Sequence, residues 1–152
     1  MTRPLYESKS DLAVERSLAA RIQNNFSWSL KKLSRRYELD FIAFAGKKAV
    51  AFIEVKRRHN PVHHYETIIL SLAKYIKGAQ YQKTTGLKFL FIVEFDDGCF
   101  QYTYNENDGK DFKITMGGRT DRNDPEDIEP VIHIPVSQMT PLFDTTTMGD
   151  HI

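Results

Sequence analysis

The sequence predicts an α/β protein: a mixed central sheet flanked by helices. Three observations point to it. Apolar residues recur at helical spacing before and after a pair of strand-like runs. Leu87 to Phe95 is a nearly continuous apolar run of strand length, suited to a strand covered on both faces. After it come shorter runs separated by the turn signals Asp96-Asp97-Gly98 and Asn107-Asp108-Gly109. With 152 residues, 41% hydrophobic and 27% charged, the chain is long enough to bury a core and reads as one globular domain over 1–152.

Each element has its own signal. Ser10 caps a first helix and Asp11 suits its N-terminal dipole, and Leu12, Leu18, Ala19 and Ile22 recur along it to about Asn24-Asn25. Phe26-Ser27-Trp28-Ser29-Leu30 alternates as a short strand would, and equally fits a last helical turn and loop. Phe41 to Phe44 and Val50 to Val55 read as neighbouring strands joined by a three-residue turn, Gly46-Lys47-Lys48. His59-Asn60-Pro61 stops the second of them. Tyr65, Ile68, Ile69, Leu72, Ala73, Ile76 and Ala79 fall on one helical stripe, which predicts a second helix ended by Thr84-Thr85-Gly86. Beyond the Leu87–Phe95 strand, Cys99 to Tyr104 is the returning strand of a hairpin, and Phe112 to Met116 a further strand. Gly117 to Pro130 reads as an acidic loop, and Val131 to Val136 as an additional C-terminal strand whose Pro135 favours a sheet edge. Residues 144–152 read as a flexible tail.

The net charge of +1 hides a polarised chain. Residues 1–88 carry 17 Lys and Arg against 7 Asp and Glu, a balance of +10, and residues 89–152 carry 4 against 13, a balance of −9. Such asymmetry points to a polyanion-binding surface in the basic half. The candidate phosphate contacts are Lys31, Lys32, Arg35, Arg36, Arg57, Arg58 and Lys77. The ordinary alternative is surface charge shared between the two halves.

One constellation carries chemistry. Side chains alternate along a strand, so Glu54 and Lys56 share a face. With a three-residue turn, Asp40 falls opposite Glu54 on that face. Two carboxylates and an ammonium then converge beside Val50-Ala51-Phe52-Ile53, a run too apolar for a wet strand. Burying such a cluster is costly unless a metal or substrate completes it. The groups suit metal-assisted hydrolysis: Mg²⁺ needs one or two carboxylates and keeps several waters. It lowers the pKa of a bound water and offsets charge on a phosphodiester. A solvated cross-strand ion pair is the ordinary reading of the same residues.

This pattern resembles the PD-(D/E)XK nuclease superfamily, whose signature is an Asp on one strand and Glu-x-Lys on the next. Asp40 and Glu54-Val55-Lys56 match it, with Leu39 where the signature has Pro, a departure that leaves the chemistry intact. The resemblance spans roughly residues 11–104 by order of elements and implies a restriction-endonuclease-like core. It further implies Mg²⁺, with Mn²⁺ substituting, held by Asp40, Glu54 and the carbonyl of Val55, and a water positioned by Lys56. Members often place a Glu of the first helix toward the metal. Glu15 is the best match here, with Glu7 and Asp11 behind it. The helix after Glu-x-Lys often adds a polar or basic residue, for which Lys74 is the choice, ahead of Tyr81 or Gln80. The implied activity is a divalent-metal-dependent nuclease acting on DNA in recombination, repair or degradation, phage or mobile-element encoded and frequently homodimeric. The alternative is a non-catalytic nucleic-acid-binding or assembly module on the same fold.

Other chemistries find little support. Cys99 is the single cysteine, which excludes an intramolecular disulfide; no run approaches a membrane span, and the expected location is the cytoplasm. His59, His63 and His64 have no zinc-box spacing. Asp96-Asp97 reads as turn chemistry rather than a metal site.

Overall fold

The computed structural model describes residues 9–118 and 128–143. The predicted tail, 144–152, lies outside them. Helix α1 (Lys9–Phe26) leads into β1 (Ser29–Lys32), β2 (Phe41–Ala45) and β3 (Lys48–Arg57). Strand β4 (Thr67–Ser71) then runs directly into helix α2 (Leu72–Thr85), which returns the chain to β5 (Lys88–Phe95). The remaining strands are β6 (Gly98–Thr103), β7 (Ile114–Gly118), β8 (Ile128–Pro135) and β9 (Thr140–Phe143).

A six-stranded sheet runs in the order β1-β2-β3-β5-β6-β9. The pair β3–β5 is parallel and every other pair antiparallel, so the central sheet is mixed, as expected. The β4–α2 segment makes the crossover that a parallel pair requires. Helix α1 covers one face, with Leu18, Ala19 and Ile22 on Phe41, Ala43, Ala51, Ile53, Leu90 and Ile92. The other face carries Phe52, Phe89, Phe91 and Val93, covered by α2 and by a second, three-stranded sheet, β4-β8-β7. Both faces of β5 are therefore buried, which explains its continuous apolar sequence.

Several expectations need correction. The first strand is Ser29–Lys32, three residues later than the alternating segment, because α1 continues through Phe26 and ends where Ser27 turns left-handed (φ 58°). The stripe from Tyr65 to Ala79 is not one helix. Its first part is β4, where Ile68 and Leu70 alternate into the core against Ile134 and Ile132 of β8. A run such as Ile68-Ile69-Leu70 fits both periods, and the pairing available on β8 decides for strand. The face that α2 does bury is Tyr75 and Gly78, with Leu72 and Tyr81 partly covered, while Ile76 is exposed. Gly78 lies so close to Phe89 that a Cβ would overlap the ring. Of the predicted 117–130 loop, Gly117-Gly118 belong to β7 and 128–130 to β8. Pro135 does not mark an edge: β8 is the middle strand of its sheet, and Pro135 is tolerated as its last residue, opposite Thr67. Strand β9, an edge strand containing Pro141, is not anticipated by any pattern in the sequence.

Candidate active site

The register of the β2–β3 hairpin places the carboxylates. Its turn is two residues long, not three: Ala45 pairs with Lys48, and Gly46 takes the positive φ (63°) the turn needs. A regular ladder from that turn would set Asp40 opposite Ile53 and point it to the α1 face. A β-bulge intervenes instead. Phe44 pairs with Ala49 but Ala43 with Ala51, so Val50 is the extra residue. Beyond the bulge Phe41 faces Ile53, and one residue further Asp40 stands opposite Glu54. The expected face is reached by a shorter turn plus a bulge.

Glu54 is 5% exposed, the only buried charged residue among the described residues, and sits on the face of Phe52 and Phe91. Its Oε2 accepts from Lys74 Nζ at 2.6 Å, while its Oε1 has no partner. Burial pushes the carboxyl up to about 8, with Lys74 pulling it down and Asp40 adding to the rise. Burial alone would lower the Lys74 ammonium, but the charge and hydrogen bond of Glu54 outweigh it and raise it. Asp40 Oδ2 accepts from the backbone N–H of Val55 at 2.9 Å, which fixes the carboxylate against β3. Its Oδ1 lies 3.5 Å from Lys32 Nζ, and the same ammonium pairs with Glu15 of α1. Lys32 also stands over the Phe41 ring, 5.4 Å from its centroid.

Lys56 shares the face of Glu54. Its Nζ donates to the carbonyl of Ile69 on β4 at 3.0 Å, and burial, with Arg58 nearby, lowers the ammonium to about 7. Glu129 of β8 contributes negative charge to both Lys56 and Lys74. A cleft of about 240 Å³ between α1 and the end of β3 is lined by Glu15, Val55, Lys56 and His59 among others, so Glu15 and Lys56 open into one space.

The structure thus brings together Asp40, Glu54, Lys56 and Lys74 with the Val55 backbone, and Glu15 on α1 is linked to Asp40 through Lys32. Two residues differ from expectation. Lys32, expected at phosphate, is a counter-ion to Glu15 and Asp40. Arg57, also expected at phosphate, points to the opposite face, bonds Glu94 (3.1 Å) and Asp96 (2.8 Å), and so ties β3 to β5. Lys31, Arg35 and Arg36 are exposed, and Lys77 and Arg58 half-buried. Asp97 accepts from the Val62 N–H, a loop-closing role rather than a ligand's. Tyr81 donates to the Tyr37 carbonyl and stacks on Phe52, and Gln80 is exposed. Glu7 lies outside the described residues, as does the side chain of Asp11. Glu129 carries no signal of its own in the sequence, because it stands at the end of an acidic, loop-like stretch.

Comparison with known proteins fits this geometry. Residues 1–142 match the model of a family described as "Phage putative PDDEXK endonuclease". The chain belongs to this family. Among solved structures six chains match. One is Hjc, a Holliday junction resolvase from the archaeal hyperthermophile Archaeoglobus fulgidus. It aligns with TM-score 0.56 and 14% identity, over 93% of this chain and 97% of that one. The likeness is one of fold, and it extends the restriction-endonuclease-like core over nearly the whole chain. No curated protein matches. Among the described residues no helix is long and apolar enough to cross a membrane.

Proposed function

We propose that this member of the phage PD-(D/E)XK family is a Mg²⁺-dependent nuclease that hydrolyses phosphodiester bonds in DNA. The observation that carries the reading is Glu54: a carboxylate buried in an apolar layer, opposite Asp40, with one oxygen unpartnered. Such a group is costly to keep unless a ligand uses it. The donors at hand are hard oxygens, namely the carboxylates of Asp40 and Glu54 and the Val55 carbonyl, which fits Mg²⁺ with Mn²⁺ able to substitute. Among the described residues no group of three or more His, Cys, Asp or Glu forms a ready cage. A two-carboxylate site completed by waters is what this donor set supports.

When bound, the metal would supply a more acidic water and offset phosphodiester charge. The chain's own residues do the rest. Asp40, fixed by the Val55 N–H, and Glu54 hold their oxygens on one face. The near-neutral Lys56 is suited to accept the proton of the attacking water at Nζ and to orient that water. Lys74 now neutralises Glu54; with that oxygen engaged elsewhere, its ammonium would turn to the scissile phosphate. Glu15 and Lys32 complete the wall on the α1 side. Exposed Lys31, Arg35 and Arg36 would steer the DNA backbone. Exposed Ile114 and Met116 on edge strand β7 favour a homodimer, which sedimentation would read directly.

The test follows cleavage of linear, nicked and branched DNA, and of RNA, with Mg²⁺ or Mn²⁺ and then with chelator. Glu54→Ala and Lys56→Ala should each abolish metal-dependent cleavage, and only Glu54→Ala should weaken metal binding. Cleavage surviving in Glu54→Ala or under chelation excludes the mechanism. If the intact protein binds DNA but cleaves none of these substrates, it is a non-catalytic module on the nuclease fold.

A further inference from the structure

A second concavity is lined by Arg58, Asn60 and Tyr65 of the segment after β3 and by Thr67 and Ile69 of β4, among others. It has a volume of about 320 Å³, and its floor is apolar, formed by Val62, Ile68, Phe95 and Val136. That size is at the lower end of the roughly 300–1,000 Å³ of small-ligand pockets, enough for one flat ring and too small for a duplex. Its rim is polar. His133 is held between two hydroxyls, Thr67 Oγ1 at 3.2 Å from Nδ1 and Thr115 Oγ1 at 2.8 Å from Nε2, so its ring is fixed and both nitrogens are engaged.

Two features of the rim select the ligand. Tyr65 is 62% exposed, and its ring makes a T-shaped contact with His64 beside it (centroids 4.4 Å apart). An open aromatic face at the mouth of an apolar pocket is what a planar ring stacks on. Arg58, the second feature, is half-buried and has no carboxylate partner among the described residues, unlike Arg57 beside it, which has two. A half-buried guanidinium without a counter-ion favours an anion at this rim. The pocket also adjoins the proposed catalytic residues. Ile69 lines it, and the Ile69 carbonyl accepts the hydrogen bond of Lys56.

We propose that this pocket is a nucleotide subsite, which takes one unstacked base of the substrate against Tyr65 and that nucleotide's phosphate on Arg58. The inference rests on the nuclease reading of the neighbouring carboxylates and adds a substrate feature to it: preference for DNA carrying a nucleotide free to leave the stack. Extruding a base costs least where it is already unpaired, so the subsite discriminates between otherwise equal duplexes.

The experiment measures binding of the full chain in chelator, where cleavage does not interfere. Three probes are compared: a fully paired duplex, the same duplex with one unpaired nucleotide, and the same with an abasic residue in that place. The protein should bind the unpaired-nucleotide duplex most tightly and lose the gain on the abasic one. Tyr65→Ala should erase a preference of roughly 5- to 150-fold, the range of single base–aromatic stacking, and Tyr65→Phe should keep it. Unchanged thermal melting of these variants, expected for so exposed a side chain, separates the effect from unfolding. Equal binding of all three probes, or a uniform loss in Tyr65→Ala, overturns the subsite. Mg²⁺-dependent cleavage of the fully paired duplex is scored in parallel. With cleavage intact and lost in Glu54→Ala, a missing preference removes only the subsite; with neither binding nor cleavage, both readings fall.

Discussion

Glu54 and Lys56 should give the metal-free protein a stability minimum near neutral pH. The Glu54 carboxyl is displaced from 4.5 to about 8 by burial. Between those values the folded protein holds a proton that the unfolded chain has released, so stability falls as pH rises through the window. Lys56 is displaced the other way, from 10.5 to about 7, also by burial. Between 7 and 10.5 the folded protein has lost a proton the unfolded chain keeps, so stability rises with pH there. Lys74, raised above 10.5, plays no part below pH 9. The slope of either limb is a little over 1 kcal/mol per pH unit, so Glu54 alone should cost about 3 kcal/mol between pH 5 and 7. From 7 to 8 the two effects oppose, and above 8 Lys56 restores stability. The assay is urea unfolding in chelator from pH 5 to 9. Glu54→Gln should remove the falling limb and Lys56→Met the rising one. Saturating Mg²⁺, which binds the ionised carboxylate, should stabilise the protein by an amount that grows with pH up to about 8. If Glu54→Gln follows the wild-type profile from pH 5 to 7, the burial argument for Glu54 is wrong.

Other consequences can be checked singly. Lys74→Met should tighten Mn²⁺ binding, because no ammonium competes for Glu54, yet slow cleavage by about 10²- to 10³-fold if Lys74 serves the phosphate; titration calorimetry and single-turnover rates separate the two. Replacing Arg35 and Arg36 by Ala should weaken binding to different DNA sequences by similar factors and flatten the salt dependence by about two phosphate contacts. Arg57→Ala should instead act on stability, since it removes ion pairs to Glu94 and Asp96 rather than a free cation, and a thermal melt reads it. Gly78→Ala should destabilise by about 1–3 kcal/mol, because the new methyl overlaps the buried Phe89 ring, and by displacing α2 it should also slow cleavage through Lys74.

The fold is legible in the sequence where burial on both faces leaves a continuous apolar run, as in β5, or where a glycine and short polar residues mark a hairpin. It is ambiguous where one run satisfies two periods. Ile68-Ile69-Leu70 sits at helical spacing from Leu72 and Ala73, and only the pairing with Ile132 and Ile134, more than sixty residues away, makes it a strand. Such a partner cannot be seen within a local window. Strand β9 is short, contains Pro141 and pairs only at an edge, so no local pattern announces it.

The site is legible to the extent that strand alternation fixes faces, and the correct face emerges from two departures of opposite sign in the register. A turn one residue shorter than expected and a bulge at Val50 cancel, leaving Asp40 opposite Glu54. The bulge therefore has a chemical consequence: without its extra residue the hairpin would send Asp40 to the α1 face. What the sequence does not reveal is how the carboxylates are held. Lys32, expected at phosphate, is instead a counter-ion from β1 between Glu15 and Asp40, and Lys74 from α2 pairs with Glu54. Carboxyl groups can stay close in a dry layer if a cation stands between them or if one keeps its proton, as Glu54 does below about 8, and each cation must come from an element the sheet topology delivers there. On the proposed mechanism the Lys74 ammonium would turn to the substrate phosphate once its Glu54 oxygen is engaged, so one cation would serve both the folded site and the reaction.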